Sequence, residues 1–389
     1  MIETRSLKGI AKVERMNAAL RHREPDRVPI GEFYWGSFLE RWRRELCLAV
    51  DTDPYAHYDL DWIVTMPNMD PHIRSFDVLS ETPEEVVVRT GFEAVVRKRF
   101  DMPMPKCVSW DTDTLEKLEA FEFDAPNDPR RFHEAGDNHV AGVGDGYTRN
   151  SPPWHDTVLA LRDDFAVYGS IIESSELLTR LIGQMNTLFW IGEHSERFGE
   201  QVLRAGEFCL RCCEAQLDAG AGLLDGMVIW GDVAFARNMF FPPEYWRAWY
   251  RPTVAAMIDL CHARGLQVIY HGCGNVKAIL PDFIEMGLDA YNPLEAKAGL
   301  DVVDLRREYG HSMAFCGNSD VQVWEAGDEK AVRREVLRKL NAAKGGGYLF
   351  QSDHSASSGV SGKTYDNIIR FVREFGQYPL ELGEYDEEI

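Results

Sequence analysis

The stretch LQVIYHGCGN, residues 266–275, follows directly on PPEYWRAWYRPTVAAMIDLCHARG, residues 242–265. The longer piece carries an amphipathic helical pattern opened by proline and closed by glycine. The shorter piece is an apolar run that stops at His-Gly-Cys-Gly-Asn. A near-continuous apolar strand after an amphipathic helix is the repeating unit of a parallel sheet buried on both faces. Alternate side chains of an extended chain face one way, so His271 and Cys273 project to the same side. Both are metal-ligand types. A core cysteine beside a hydrogen-bonded histidine is the blander reading, and the pair alone does not choose.

The same unit recurs along the chain. RVPIGEF (27–33), DWIVTMP (61–67), FAVYGSI (165–171), GMVIWGD (226–232), LQVIYHG (266–272), LDAYNPL (288–294), MAFCGNS (313–319) and GYLFQSD (347–353) are read as eight strands, with helical patterns between them. Eight such units predict an α/β fold, a (β/α)8 TIM barrel, as one domain over 1–389. An open doubly wound sheet is the alternative. Polar side chains follow nearly all eight runs, which suits one ring-shaped mouth better than a single switch point. Between the second and third runs lies an insertion of about 72–160. Within it EEVVVRTGFEAVVRKRF (84–100) alternates on both sides of Thr-Gly and predicts a hairpin. The insertion is expected to cap the barrel mouth.

With 389 residues and 45% hydrophobic composition, the chain can bury a large core. Lys plus Arg is 42 and Asp plus Glu is 63, a net charge of −21. Such a surface repels phosphate backbones and anionic lipid, so neither nucleic acid nor membrane is an expected partner. The charged N-terminal stretch and the eight cysteines without framework spacing point to a cytoplasmic, reducing location. Cys209, Cys212 and Cys213 share a stripe with Val202 and Leu217 and read as core.

A barrel would gather Glu32, Tyr34, Asp232, His271, Cys273, Asn292, Glu295, Cys316, Asn318, Asp320, Asp353 and His354 at its mouth. Of these, Asn318, Asp320 and Asp353 are expected to tie loops together. His271, Cys273 and His354 form the strongest metal-ligating trio, with Glu295 as a fourth ligand or a supporting partner. A thiolate with imidazoles favours Zn2+ over Mg2+ or Ca2+. The competing picture is a metal-free pocket in which His271 and His354 act as acid and base. Glu295, Asp232 and His354 are the candidate catalytic groups, and Tyr34, Tyr147, Tyr168, Trp230 and Asn292 the candidate substrate-binding ones. Phe33, Trp35, Trp154 and Tyr291 add to the aromatic supply, with ordinary packing an equally good account of each. DNHVAG (137–142) matches a cobalt-ligating pattern, but it follows a polar, strandless segment and reads as coincidence.

MNAALRHREPDRVPI (16–30), VIYHGCGNVKAIL (268–280), DAYNPLEAKAGLDVVDLRREYG (289–310) and GGGYLFQSDHS (345–355) together resemble the uroporphyrinogen decarboxylase superfamily. The resemblance covers nearly the whole chain and implies the same barrel. True decarboxylases of this group carry an arginine-rich Met-Arg-Gln-Ala-Gly-Arg stretch after the first strand. Here GEFYWGSFLERW (31–42) stands instead, acidic and aromatic, which argues against a tetrapyrrole substrate. The other branch implied is that of cobamide-dependent methyltransferases, whose zinc is held by His-x-Cys and a later cysteine. His271 and Cys273 match the first two positions, and His354 stands where the later cysteine falls.

The function expected from that resemblance is a zinc-dependent O-demethylase component. It would move a methyl group from a small methylated substrate, such as a methoxylated aromatic, to a corrinoid on a separate protein. A Lewis acid at the departing oxygen would serve that chemistry. A metal-free lyase acting on a small carboxylate is the second reading, and a non-catalytic binding protein the third. A corrinoid protein is the expected partner, and a homodimer is also open.

Overall fold

The computed structural model describes residues 5–73, 77–100, 102, 105–134 and 152–389. Its main layer is a seven-stranded, wholly parallel sheet. The strands are β1 (Trp62–Val64), β6 (Ala166–Ile172), β7 (Gly226–Trp230), β8 (Gln267–His271), β9 (Ala290–Asn292), β10 (Ala314–Cys316) and β11 (Tyr348–Leu349), paired in that order. Helices between successive strands make each crossover, as parallel pairing requires. The long helix Ser195–Ala219 and the helix Arg251–Ala263 pack side by side on the outer face. Cys209, Cys212 and Cys213 are buried there, as the stripe predicted.

Alternate residues along the strands enter two separate clusters. Val167, Met227, Ile229, Val268, Tyr270, Tyr291 and Phe315 pack outward against helices. Ala166, Tyr168, Val228, Ile269, Ala290, Ala314, Cys316 and Leu349 form an inner cluster with Met16, Ala19 and Leu20 of the N-terminal helix Leu7–Leu20. Ser6 caps that helix by accepting from the Gly9 N–H.

The first expected strand, 27–33, is not formed as a strand, so the predicted eight become seven. Pro29 has no N–H to give to a ladder, and the pairing shrinks to single bridges. The segment nonetheless contacts both edges of the sheet. Gly31 N donates to Phe350 O at 3.0 Å and Phe350 N to Pro29 O at 2.9 Å, while Asp61 N donates to Ile30 O at 2.9 Å. Buried Asp61 holds this side together by accepting from Arg27, Arg15 and the Ile30 N–H.

The hairpin expected within 84–100 is present and belongs to a second, antiparallel sheet. It runs β2 (Asp77–Glu81), β3 (Glu85–Arg89), β4 (Ala94–Arg99) and β5 (Lys106–Trp110). Val86, Val88, Ala94 and Val96 face its core, set by the period-two alternation. Trp110 Nε1 donates to Arg180 O at 3.0 Å, joining this sheet to the helix Ser174–Ile182 that follows β6.

Candidate functional site

The C-terminal ends of the parallel strands bring the expected reactive side chains together. Strand β7 runs out through Trp230 to Asp232, and β8 through His271 to Cys273. Asp232 Oδ1 accepts from the Cys273 peptide N–H at 2.8 Å, so one turn holds the other. The glycines around Cys273 have steric causes. A Cβ on Gly272 would lie 2.6 Å from Tyr291 Oη and 2.8 Å from Gly231 O. Gly274 sits at φ 84°, where a Cβ would meet the Ala234 backbone at 2.6 Å.

Two groups of ligand atoms form here, each within 4.8 Å internally: Asp232, His271 and Cys273; and Cys273, Glu295 and His354. Cys273 belongs to both. The expected trio of His271, Cys273 and His354 is therefore split between the two groups, each imidazole joining Cys273 in a different one. His271 Nε2 is 3.6 Å from Cys273 Sγ, and its Nδ1 is 2.5 Å from Asn292 Oδ1. Glu295 faces Lys297, with Oε1 to Nζ at 3.4 Å. Asp353 positions the neighbouring turns as the sequence suggested, accepting from the Ala296 and Val321 N–H groups.

Burial dominates the electrostatics. It holds both His271 and His354 down to about 4, Lys297 adding to the depression at His354, so both imidazoles are neutral at pH 7. The Cys273 thiol is pushed well up by burial, then by Asp232, Glu295 and Glu176. Burial likewise raises Asp232 and Glu176. Neutral imidazoles, a thiol and several carboxylates make a donor set that a divalent cation would stabilise.

Aromatic rings border this cluster. The Trp230 ring lies 4.4 Å from that of His271, Phe33 packs 5.4 Å from Trp230 and 5.9 Å from His271, and Trp35 stacks on His354 at 6.1 Å. Tyr34 turns elsewhere: its ring packs on Phe38, Tyr55 and Tyr365, and its hydroxyl lies 2.8 Å from Tyr365 Oη. Tyr168 is fully buried beside Trp62 and pairs with Gly226, four residues before Trp230. That places it roughly 13 Å below the strand ends, at about 3.3 Å per residue. Asn292 is buried and bonded to His271, Cys316 and Gln351. Tyr147 and the DNHVAG stretch lie outside the described residues.

Sequence reasoning passed over Glu176, Lys297 and Gln351. Glu176 follows the end of β6 within the helix Ser174–Ile182 and pairs with Arg180 at 3.4 Å. The rule that found the other residues, polar groups just beyond a strand, also covers IESSE (172–176). A separate cavity of about 660 Å3, lined by Arg306, Arg307, His311, Lys344 and Asp386 to Ile389, lies toward the opposite strand ends and contains none of these groups.

The family model for uroporphyrinogen decarboxylase (URO-D) matches residues 155–375, more than half of the chain and all but one of the strands of the parallel sheet. The chain belongs to the uroporphyrinogen decarboxylase family. Its fold is shared with a methyltransferase from Methanosarcina mazei at 16% identity and a TM-score of 0.62, covering 96% of this chain and 99% of that one. A B12-independent methionine synthase from Shewanella sp. W3-18-1, in complex with selenomethionine, aligns at 8% identity and a TM-score of 0.45, over 92% of this chain and 96% of that one. No curated protein sequence matches the chain. Within the URO-D family frame, the cluster around Cys273 occupies the strand-end face on which parallel α/β enzymes place their chemistry. Among the described residues no helix is long and apolar enough to cross a membrane.

Proposed function

We propose that this URO-D family member is a zinc-dependent methyltransferase. It moves a methyl group from a small methylated substrate, best a methoxylated aromatic, to a corrinoid carried on a separate protein. The observation that carries the reading is the position of Cys273, shared between the Asp232–His271 side and the Glu295–His354 side. A zinc ion there would draw on Cys273 and His271 with Asp232, Glu295 and His354 around them. Bound zinc supplies Lewis acidity at the oxygen from which the methyl departs.

The chain's own residues do the rest. Neutral His271 and His354 each offer one ring-nitrogen lone pair. Asp232 anchors the Cys273 peptide while adding negative charge beside it. Phe33, Trp35 and Trp230 form apolar walls next to the ligand cluster, suited to a flat ring. In this reading the inserted sheet, joined to the helix Ser174–Ile182 by the Trp110–Arg180 hydrogen bond, would border this end of the barrel-like core. The acidic enzyme would meet its corrinoid partner at the strand-end face. A metal-free lyase with histidine as proton donor is less well supported, because imidazoles near 4 lack the acidic imidazolium proton at neutral pH.

The test is elemental analysis of zinc-replete protein beside Cys273→Ser, followed by methyl transfer from methoxybenzoates to cob(I)alamin, read from the corrinoid spectrum. We expect about one zinc per chain, lost in the variant together with transfer. A metal-free wild-type protein, or full transfer by Cys273→Ser, would sink the reading.

A further inference from the structure

Asn292 ends β9 and is 1% exposed, and what its amide can do is settled by a backbone atom. Asn292 Nδ2 is 3.1 Å from the Cys316 carbonyl oxygen and 3.2 Å from Gln351 Oε1. A peptide carbonyl only accepts, so the amide nitrogen must face it and Oδ1 must face the other way. The other way is His271 Nδ1, at 2.5 Å. An amide oxygen has no proton to give, so the proton in this short contact belongs to His271 Nδ1. Nε2 is then left with its lone pair on the side of Cys273 Sγ, 3.6 Å away.

The next residue out reinforces the same choice. Gln351 is fully buried, and its Oε1 also accepts from Cys316 Sγ at 3.2 Å. Turning the Gln351 amide over would set its NH2 group against the Asn292 NH2, a donor against a donor. Both hydrogens of Asn292 Nδ2 are therefore committed, one to Cys316 O and one to Gln351 Oε1. The sequence pattern suggested that Asn292 binds substrate; its surroundings give it a different task.

We propose that Asn292 is a positioning residue that locks His271 in the Nδ1–H tautomer and presents Nε2 toward Cys273 before any ion arrives. Ring orientation and tautomer are then preset. Ligation costs no rearrangement of His271, and the amide hydrogen bond supports the donor strength of Nε2. The consequence for zinc affinity rests on the function proposed above; the tautomer does not.

The experiment uses the full chain, metal-stripped, labelled with 15N-histidine and read by long-range 1H–15N correlation at neutral pH. With 11 histidines in the sequence, the His271 pattern is assignable by its loss in His271→Gln. The expected pattern is the Nδ1–H tautomer in wild type and in Asn292→Asp, which keeps an acceptor, and its loss in Asn292→Leu. Zinc affinity, measured by competition with a chromophoric chelator, should fall about 10–100-fold in Asn292→Leu and less in Asn292→Asp, which keeps the acceptor facing His271 but gives up the hydrogens held by Cys316 O and Gln351 Oε1. An Nε2–H pattern in wild type overturns the proposal, as does an unchanged pattern or unchanged zinc affinity in Asn292→Leu. The expected tautomers with no zinc bound by wild type would support the lock while overturning the zinc function.

Discussion

The peptide N–H of Cys273 donates to Asp232 Oδ1 at 2.8 Å, tying the turn after β8 to the turn after β7. Asp232 is therefore an anchor for the backbone as well as a member of a ligand group. Asp232→Asn keeps an oxygen for the anchor and removes the charge. It should leave thermal stability nearly unchanged and weaken zinc binding by about 10–100-fold. Asp232→Ala should also cost about 1–3 kcal/mol, through the unsatisfied N–H. Chelator competition and urea melts check both, and unchanged zinc affinity in Asp232→Asn would reduce the residue to its anchoring role.

Glu32 predicts a pH dependence of stability. Its carboxyl is 2% exposed and receives the Phe33 N–H, the Ser352 hydroxyl and the Ser352 N–H. Burial pushes it from 4.5 up to about 8. The folded chain thus keeps this proton up to about pH 8, while the unfolded chain releases it near 4.5. Stability from this group is intact below 4.5 and declines as pH rises toward 8, by a total on the order of 3–5 kcal/mol. Glu32→Gln, which cannot ionise, should gain on wild type as pH is raised from 5 to 8. Denaturation midpoints at the two ends measure the gain, and a constant gap between the proteins would contradict it.

Asp61 is fully buried and accepts from Arg27 at 2.7 and 2.8 Å, from Arg15 at 2.6 Å and from the Ile30 N–H at 2.7 Å. Removing the carboxylate strands the nearly buried Arg27 guanidinium. Asp61→Ala should cost about 3–5 kcal/mol. The double variant Asp61→Leu with Arg27→Met should recover much of that loss. Chemical denaturation of the set decides, with equal loss in single and double variants as the unfavourable outcome.

Gly274 and Gly265 provide an internal control. Both have positive φ, 84° and 76°, but a Cβ at Gly274 strikes the Ala234 backbone whereas at Gly265 it meets nothing within 4 Å. Gly265→Ala should cost about 1–2 kcal/mol from backbone strain alone and leave zinc binding intact. Gly274→Ala should cost more and weaken zinc binding by displacing Cys273. Equal effects of the two substitutions would show that the close approach is not what holds the turn.

Much of the fold is legible because it rests on short-range physics. Apolar runs such as GMVIWGD and LQVIYHG become strands because a parallel sheet covered on both faces accepts continuous apolar side chains. The hairpin around Thr90-Gly91 follows from its alternation. The run 27–33 has the same composition, yet Pro29 limits it to bridges with its neighbours. For the site, Tyr34 and its neighbours Phe33 and Trp35 are equally aromatic in sequence. Only the fold turns Phe33 and Trp35 to the imidazoles and Tyr34 to Tyr365.

By itself the sequence determined the repeating strand and helix units, the buried cysteine stripe and the polar residues waiting at each strand end. Periodicity and local sterics are written into neighbouring residues. The tertiary structure decided how those ends meet: Cys273 shared between two ligand groups, Glu176 near His271, and Asn292 set with its amide oxygen against an imidazole. Those relationships join atoms tens of residues apart. They arise from the curl of the sheet and from which way one amide must face a carbonyl, and neither is encoded in any local window of the chain.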